Sequence, residues 1–296
     1  MVNFGSLNID YTYRVDDFVK PGETKASQSL TVNCGGKGLN QSAALARAGA
    51  EVWHAGFVGA EGAFLVEKLR ECGANTDFVR TASESTGHAI IQVNDGGQNC
   101  ILIHAGTNGI LTEEDVDEVL SHFAPGDVVL LQNETNLVGE IIEKAARRGL
   151  RVAFNAAPMD AKVADYPLDK VDWLFVNETE GAALTGVSDY AAIAASLRQR
   201  YPHTSVILTL GEVGCLYVGG EGAVSMGACT VKAVDTTGAG DTFTGFFLGS
   251  ILNGSSPGEA LRAATVASAI AVTRPGAADS IPTWDEVTTS GLVPKA

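Results

Sequence analysis

Four apolar runs decide the fold: Asp127-Val-Val-Leu-Leu131, Arg151-Val-Ala-Phe154, Trp173-Leu-Phe-Val176 and Ser205-Val-Ile-Leu-Thr-Leu210. Helical periodicity separates them, as in Leu137 to Gly149 (closed by its glycine) and Ala191 to Arg200. A strand that is apolar along its whole length has both faces buried, the condition of a parallel sheet covered by helices on both sides. From about residue 110 onward the spacing therefore predicts an α/β fold with a central, mostly parallel sheet. The helix after Leu111 carries its own start signal, with Thr112 as N-cap and Asp115 at the third helical position.

Two stretches break this rhythm. Residues about 11–34 and 86–104 hold alternating segments, His88-Ala-Ile-Ile-Gln-Val-Asn94 and Cys100-Ile-Leu-Ile-His104, around an Asn94-Asp95-Gly96-Gly97 turn. That is the pattern of a hairpin with an Asx-Gly turn. An edge extension of the main sheet is the plainer reading. A small second sheet that covers a ligand is the functional one. With no repeat, linker or low-complexity segment, the expected organisation is a single domain over 1–296, its lid formed by strands within about 9–34 and 86–104.

Composition narrows the function. The chain has 296 residues, 45% of them hydrophobic, and its net charge is −15. So acidic a surface repels phosphate backbones and anionic lipid, which argues against nucleic-acid or membrane partners. A few backbone amides still bind a small anion locally. The 34 glycines are about 11% of the chain and have no collagen period, so they serve turns and close backbone approaches. Five scattered cysteines without a C-x-x-C pair argue against a disulfide framework and a zinc site. Asn3, Asn8 and Asp10 interrupt any apolar signal segment, and no apolar run reaches the roughly 18 residues of a membrane helix. The expectation is a soluble, cytoplasmic protein.

The most informative chemistry lies in Val234-Asp-Thr-Thr-Gly-Ala-Gly-Asp241, followed by the apolar periodic run Phe243, Phe246, Phe247 and Ile251. Small residues at a helix start leave N–H groups free at the positive end of the dipole, an anion nest. Asp241 in the same turn is electrostatically odd unless the anion is a transferring phosphoryl group and the carboxylate takes a proton from the incoming hydroxyl. A simple helix cap over a tight turn is the alternative. A second glycine cluster, Cys34-Gly-Gly-Lys-Gly-Leu-Asn-Gln41, precedes an apolar helix expected over Ser42–Ala48. It is neither a Walker loop nor a dinucleotide fingerprint. Asn40 and Gln41 offer amides suited to sugar hydroxyls. Near the start, Phe4-Gly-Ser-Leu-Asn-Ile-Asp10 reads as the end of a first strand, and Asn8 and Asp10 share alternation parity, able together to grip a diol or merely to form a turn.

Gly5-Ser-Leu-Asn-Ile-Asp10, Gly35-Gly-Lys-Gly-Leu-Asn-Gln41, Asn177-Glu-Thr-Glu180, Thr209-Leu-Gly-Glu-Val-Gly214 and Asp235-Thr-Thr-Gly-Ala-Gly-Asp241 occur in that order. The combination resembles the PfkB-type carbohydrate kinases, most closely their ribokinase branch, from about residue 3 to 282. The resemblance implies a ribokinase-like three-layer fold with a small β-sheet lid, and an enzyme that passes the γ-phosphate of ATP to the primary (O5) hydroxyl of D-ribose. Deoxyribose, fructose or a nucleoside is the alternative substrate, and a non-catalytic sugar or nucleotide sensor the alternative class. By the same resemblance Asp241 is the base, and Gly238, Ala239 and Gly240 form the anion hole. Asn8, Asp10, Gly36, Lys37, Asn40 and Glu134 hold the sugar. Asn177 and Glu180 serve nucleotide phosphates and Mg²⁺, with Thr209, Gly211, Gly214 and Gly240 along the nucleotide. A monovalent cation, K⁺, is implied at Asp235, Thr237, Ala271, Arg274, Gly276 and Ser280. Pro275 inside that loop and His88 in the lid depart from the family pattern. A homodimer packed lid to lid is also implied, since the alternating strands expose an apolar face.

Overall fold

The computed structural model describes residues 1–295. Its strands are β1 (Val2–Phe4), β2 (Asn8–Arg14), β3 (Ser29–Gly35), β4 (Trp53–Val58), β5 (Asn75–Thr81), β6 (Gly87–Val93) and β7 (Asn99–His104), then β8 (Val128–Gln132), β9 (Arg151–Asn155), β10 (Trp173–Asn177), β11 (Ser205–Thr209), β12 (Gly214–Gly219) and β13 (Gly222–Gly227). The helices are α1 (Lys37–Arg47), α2 (Ala63–Cys72), α3 (Glu113–Leu120), α4 (Val138–Arg147), α5 (Glu178–Thr185), α6 (Tyr190–Arg200), α7 (Ala239–Leu252), α8 (Pro257–Ala271) and α9 (Trp284–Thr289).

The four apolar runs are β8, β9, β10 and β11, four neighbours in a nine-stranded sheet of order β13-β12-β11-β10-β9-β8-β1-β4-β5. Pairing is parallel from β5 to β11, and β12 and β13 close the other edge as an antiparallel hairpin. Alternation divides each strand between two cores. Val128 and Leu130 join the apolar cluster that contains α1, α2, α7 and α8, whereas Val129 and Leu131 join the cluster of α3, α4 and α6. Helices on both faces are thus dictated by the strands, giving three layers. Thr112 accepts from Asp115 N and Asp115 from Thr112 N, the capping box that starts α3.

Helices α1 and α7 cross closely. A Cβ on Gly245 would lie 2.3 Å from the Cβ of Ala44, so only glycine allows the approach. That contact brings the first turns of the two helices together. It is what sets the site.

The alternating segments form a separate four-stranded sheet, β3-β2-β6-β7, not an extension of the main one. Gln98 N donates to the Asn94 side chain at the turn, as an Asx-Gly hairpin requires. Two expectations are corrected. Asn8 and Asp10 do not end the first strand, which stops at Phe4; they begin β2 in the small sheet. And α1 starts at Lys37, five residues before Ser42, because Gly36 at φ 94° turns the chain and accepts the first helical bond from Asn40 N. A glycine-rich stretch reads as loop, but here it supplies the helix's first turn.

Candidate active site

Gly238 adopts φ 73° and Ala239 opens α7. Ala239 N donates to the Thr236 carbonyl at 3.2 Å, while among the described residues nothing accepts from the N–H groups of Gly238, Gly240 or Asp241. These free donors lie at the positive end of the helix dipole and suit an anion, but they are not the trio the resemblance implied: the Ala239 N–H is taken by the Thr236 carbonyl, and the Asp241 N–H stands free in its place. A Cβ at Gly240 would meet nothing within 4 Å. The space it would enter belongs to a cavity of about 220 Å³ lined by Gly238, Ala239, Gly240 and Asp241 together with Lys37, Asn177, Glu180 and Thr209. A second cavity of about 440 Å³ shares Thr209, Ala239 and Gly240 and adds Gly211, Gly214 and Phe243.

Asp241 is 6% exposed. Its Oδ1 accepts from Gln41 Nε2 at 2.8 Å and its Oδ2 from Asn40 Nδ2 at 3.0 Å. Asn40 Oδ1 is buried without a partner, an acceptor available to a ligand hydroxyl. The Lys37 ammonium is held above its ordinary pKa by the Asp241 carboxylate, against the cost of burial, with Glu134 and Glu180 adding to the effect. Glu134 takes the Lys37 N–H at 2.9 Å and the Ser6 hydroxyl. Burial pushes its pKa up, and Lys37 opposes that shift.

The remaining expected sugar positions converge from the small sheet. Asn8 Oδ1 accepts from Asn108 Nδ2 at 2.7 Å. Asp10 shares that strand face, and no group among the described residues donates to its carboxylate. Its pKa is raised to about 7, first by burial and then by Glu134. Of the expected sugar positions, Lys37 and Asp241 line the first cavity, whereas Asn8, Asp10, Gly36, Asn40 and Glu134 line neither cavity.

At the start of α5, Asn177 and Glu180 cap one another, Glu180 N to Asn177 at 2.9 Å and Asn177 N to Glu180 Oε2 at 2.9 Å. Burial raises the Glu180 pKa. Asp235 joins the two segments implied for a cation: its Oδ1 accepts from Thr237 N at 2.9 Å and from Thr237 Oγ1 at 2.6 Å, and its Oδ2 from Gly276 N at 2.9 Å. Arg274 pairs with Glu286 at 2.6 Å, Ala271 O accepts from Arg274 N, and Ser280 Oγ donates to Ala277 O at 2.7 Å. Ala277 in turn packs against the nest, its Cβ 3.1 Å from where a Gly238 Cβ would stand.

Sequence reasoning missed Asn3, Asn108, Gln132 and Asn155. A signal was present for two of them. Gln132 and Asn155, like Asn177 and Thr209, are polar residues that end an apolar parallel strand at its C-terminal edge, where open α/β sheets bind ligands.

A profile of the pfkB family carbohydrate kinases matches residues 1–284. Ribokinase of Haemophilus influenzae is 38% identical over 293 residues, 95% of each chain. Two solved structures superpose with a TM-score of 0.87: ribokinase from Cryptococcus neoformans in complex with ADP, 33% identical over 98% of each chain, and Arabidopsis thaliana ribokinase complexed with ribose and ATP, 31% identical over 97% of this chain and 96% of that one. With the five motifs drawn to one end of the sheet and similarity along nearly the whole length, the chain belongs to the pfkB family of carbohydrate kinases.

Proposed function

We propose that this chain transfers the γ-phosphate of ATP to the O5 hydroxyl of D-ribose, giving ribose 5-phosphate and ADP. The observation that carries the reading is the meeting of a buried carboxylate, Asp241, with three unpartnered N–H groups in one helical turn beside a cavity. Asp241 accepts the proton of the attacking hydroxyl, a role worth about 10²–10⁴ in rate. The N–H groups of Gly238, Gly240 and Asp241 stabilise charge on the transferring group, at about 3–4 kcal/mol for a well-placed donor. Lys37 adds a cation on the cavity wall. Asn8, Asp10, Gly36, Asn40 and Glu134 orient the sugar, and Thr209, Gly211 and Gly214 carry the nucleotide along the second cavity.

Glu180 fits Mg²⁺ that arrives with the nucleotide. Its Oε1 has no protein donor, and a hard cation that keeps its waters and phosphate oxygens needs only one or two carboxylates. When bound, Mg²⁺ neutralises charge on the phosphate oxygens. The resemblance assigns K⁺ to the Asp235, Thr237, Ala271, Arg274, Gly276 and Ser280 segments, whose carbonyl oxygens would hold it. Arg274 spends its guanidinium on Glu286, and the Asp235 carboxylate fixes the loops. When bound, K⁺ supplies positive charge beside the nest.

The small sheet serves as the lid of the single kinase domain. Ile101 and Ile103, about half exposed, share the Asp10 face in register and exclude water from a bound sugar. Leu30, Val32, Ile90 and Leu102 expose apolar surface on the opposite face, which a second copy covers in a homodimer. Five free cysteines accord with a cytoplasmic location.

An ADP-release assay across ribose, deoxyribose, fructose and nucleosides tests the substrate. Ribose turning over no faster than the others would sink it. In Asp241→Asn, turnover falls by orders of magnitude while sugar still binds; unchanged phosphorylation would remove the base.

A further inference from the structure

Gln41 makes a contact to Asp241 that the sugar and nucleotide roles leave unused. A carboxamide presents either its N–H or its oxygen, and the two orientations have opposite consequences for a neighbouring acid. Which one faces Asp241 is settled far from it.

Gln41 Oε1 accepts from Gln132 Nε2 at 2.8 Å, and the same Nε2 donates to Asn3 Oδ1 at 3.0 Å. Asn3 Nδ2 donates to the Gly38 carbonyl at 2.9 Å and to Ser42 Oγ at 2.8 Å. Ser42 Oγ meets His54 Nδ1 at 2.9 Å, and His54 Nε2 meets the Gly5 carbonyl at 3.1 Å. Two main-chain carbonyls, which only accept, thus terminate the thread and fix its sense. The Gly38 carbonyl forces Asn3 to face it with Nδ2. Asn3 then turns its oxygen to Gln132, Gln132 its nitrogen to Gln41, and Gln41 its nitrogen to Asp241. Burial lowers the pKa of His54 to about 4, so the ring is neutral. Its one proton lies on Nε2 toward Gly5, and Ser42 donates to Nδ1.

Asn3, Gln41, Ser42 and His54 are fully buried and Gln132 is 1% exposed, so water cannot relax the pattern. Gln132 Oε1 is left buried without a partner, a cost that a merely stabilising network avoids. Asn40, on the other carboxylate oxygen, is not locked: its Oδ1 has no partner, and rotation of the amide would let Oδ1 accept a hydrogen bond from Oδ2 once that atom carries the proton.

We propose that Gln41 is a positioning residue for Asp241, locked in one flip state by the Gln132–Asn3–Ser42–His54 thread so that Oδ1 stays an anchored acceptor and Oδ2 takes the substrate proton. This rests on Asp241 being the base. An N–H bond to a carboxylate is worth about 1.5–3 kcal/mol, which corresponds to about one pH unit or more in the ionisation of the acid. The other charged groups facing Asp241 are Lys37 on α1, Glu180 on α5 and Glu134 after β8, and they are unchanged in the variants below.

The test is the pH dependence of kcat with KM for the sugar. Gln41→Met keeps volume and removes the donor, so the acid limb moves up by about one pH unit or more, with KM within about threefold. Gln41→Glu keeps an acceptor for Gln132 but sets a second carboxyl against Oδ1, and moves the limb further. Gln132→Met leaves the direct contact and removes the lock, giving a smaller shift in the same direction. If Gln41→Met does not fold, the other two variants carry the test. A limb that stays in place in every folded variant, with kcat merely scaled, overturns the role of Gln41. That result with an inactive, sugar-binding Asp241→Asn refutes the positioning alone, whereas an active Asp241→Asn refutes the base on which it rests.

Discussion

Asp10→Asn is expected to stabilise the sugar-free protein at alkaline pH and to leave that gain behind as the pH falls. The Asp10 carboxyl is raised from 3.8 to about 7 by burial without a donor, with Glu134 adding to the effect. Below pH 3.8 both folded and unfolded chains hold the proton, and its contribution to stability is fully present. As the pH rises, the unfolded chain releases the proton while the folded chain keeps it to about 7, so stability is lost across that window. Over the whole window the loss is about 4 kcal/mol at 1.36 kcal/mol per unit. The part above pH 5.5, which stays clear of the isoelectric point near 4.7, is about 2 kcal/mol. Asparagine has no such slope. In urea melts followed by tryptophan fluorescence, the advantage of the variant therefore grows by about 2 kcal/mol between pH 5.5 and 8.5, roughly 4 °C in Tm for a chain of this size. An equal difference at the two pH values would mean that Asp10 is already ionised in the folded protein, and the reading of its site would be wrong. Sugar hydroxyls donating to the carboxylate favour its charged form. Binding of ribose near pH 6 then releases close to one proton, measurable by calorimetry in buffers of different ionisation enthalpy.

Two shorter expectations follow from the nest and from the lid. Gly238→Ala puts a Cβ at φ 73° and 3.1 Å from the Ala277 Cβ. That costs about 1–2 kcal/mol in a melt and, by tilting the free N–H groups, about tenfold or more in kcat with little change in sugar KM. Leu102→Lys places a charge on the most exposed apolar residue of the small sheet, 68% accessible; under the proposed lid-to-lid homodimer, light scattering at micromolar concentration should give a dimer for the unaltered chain and a monomer for the variant.

The main sheet was legible because burial on both faces leaves a plain mark, an uninterrupted apolar run, and the runs at Leu131, Phe154, Val176 and Leu210 each predicted a strand within a residue or two of its observed end. The glycine cluster was less legible. Gly36 and Gly38 look like loop formers, and nothing local says that Lys37 already belongs to α1, because the contact that orders this turn comes from Gly5 and Ser6, some thirty residues away. The polar thread was least legible. Asn3 and Gln132 stand in apolar strands where sequence shows only an interruption, and their meaning depends on which strands become neighbours. The parallel pairing β1·β8 puts Asn3 opposite Leu130 and brings Gln132 beside Asn3, while the Gly245–Ala44 approach carries Asp241 to Gln41. Topology therefore converts scattered amides into one directed path, which explains why motifs alone point to Asp241 but not to the amides that reach it.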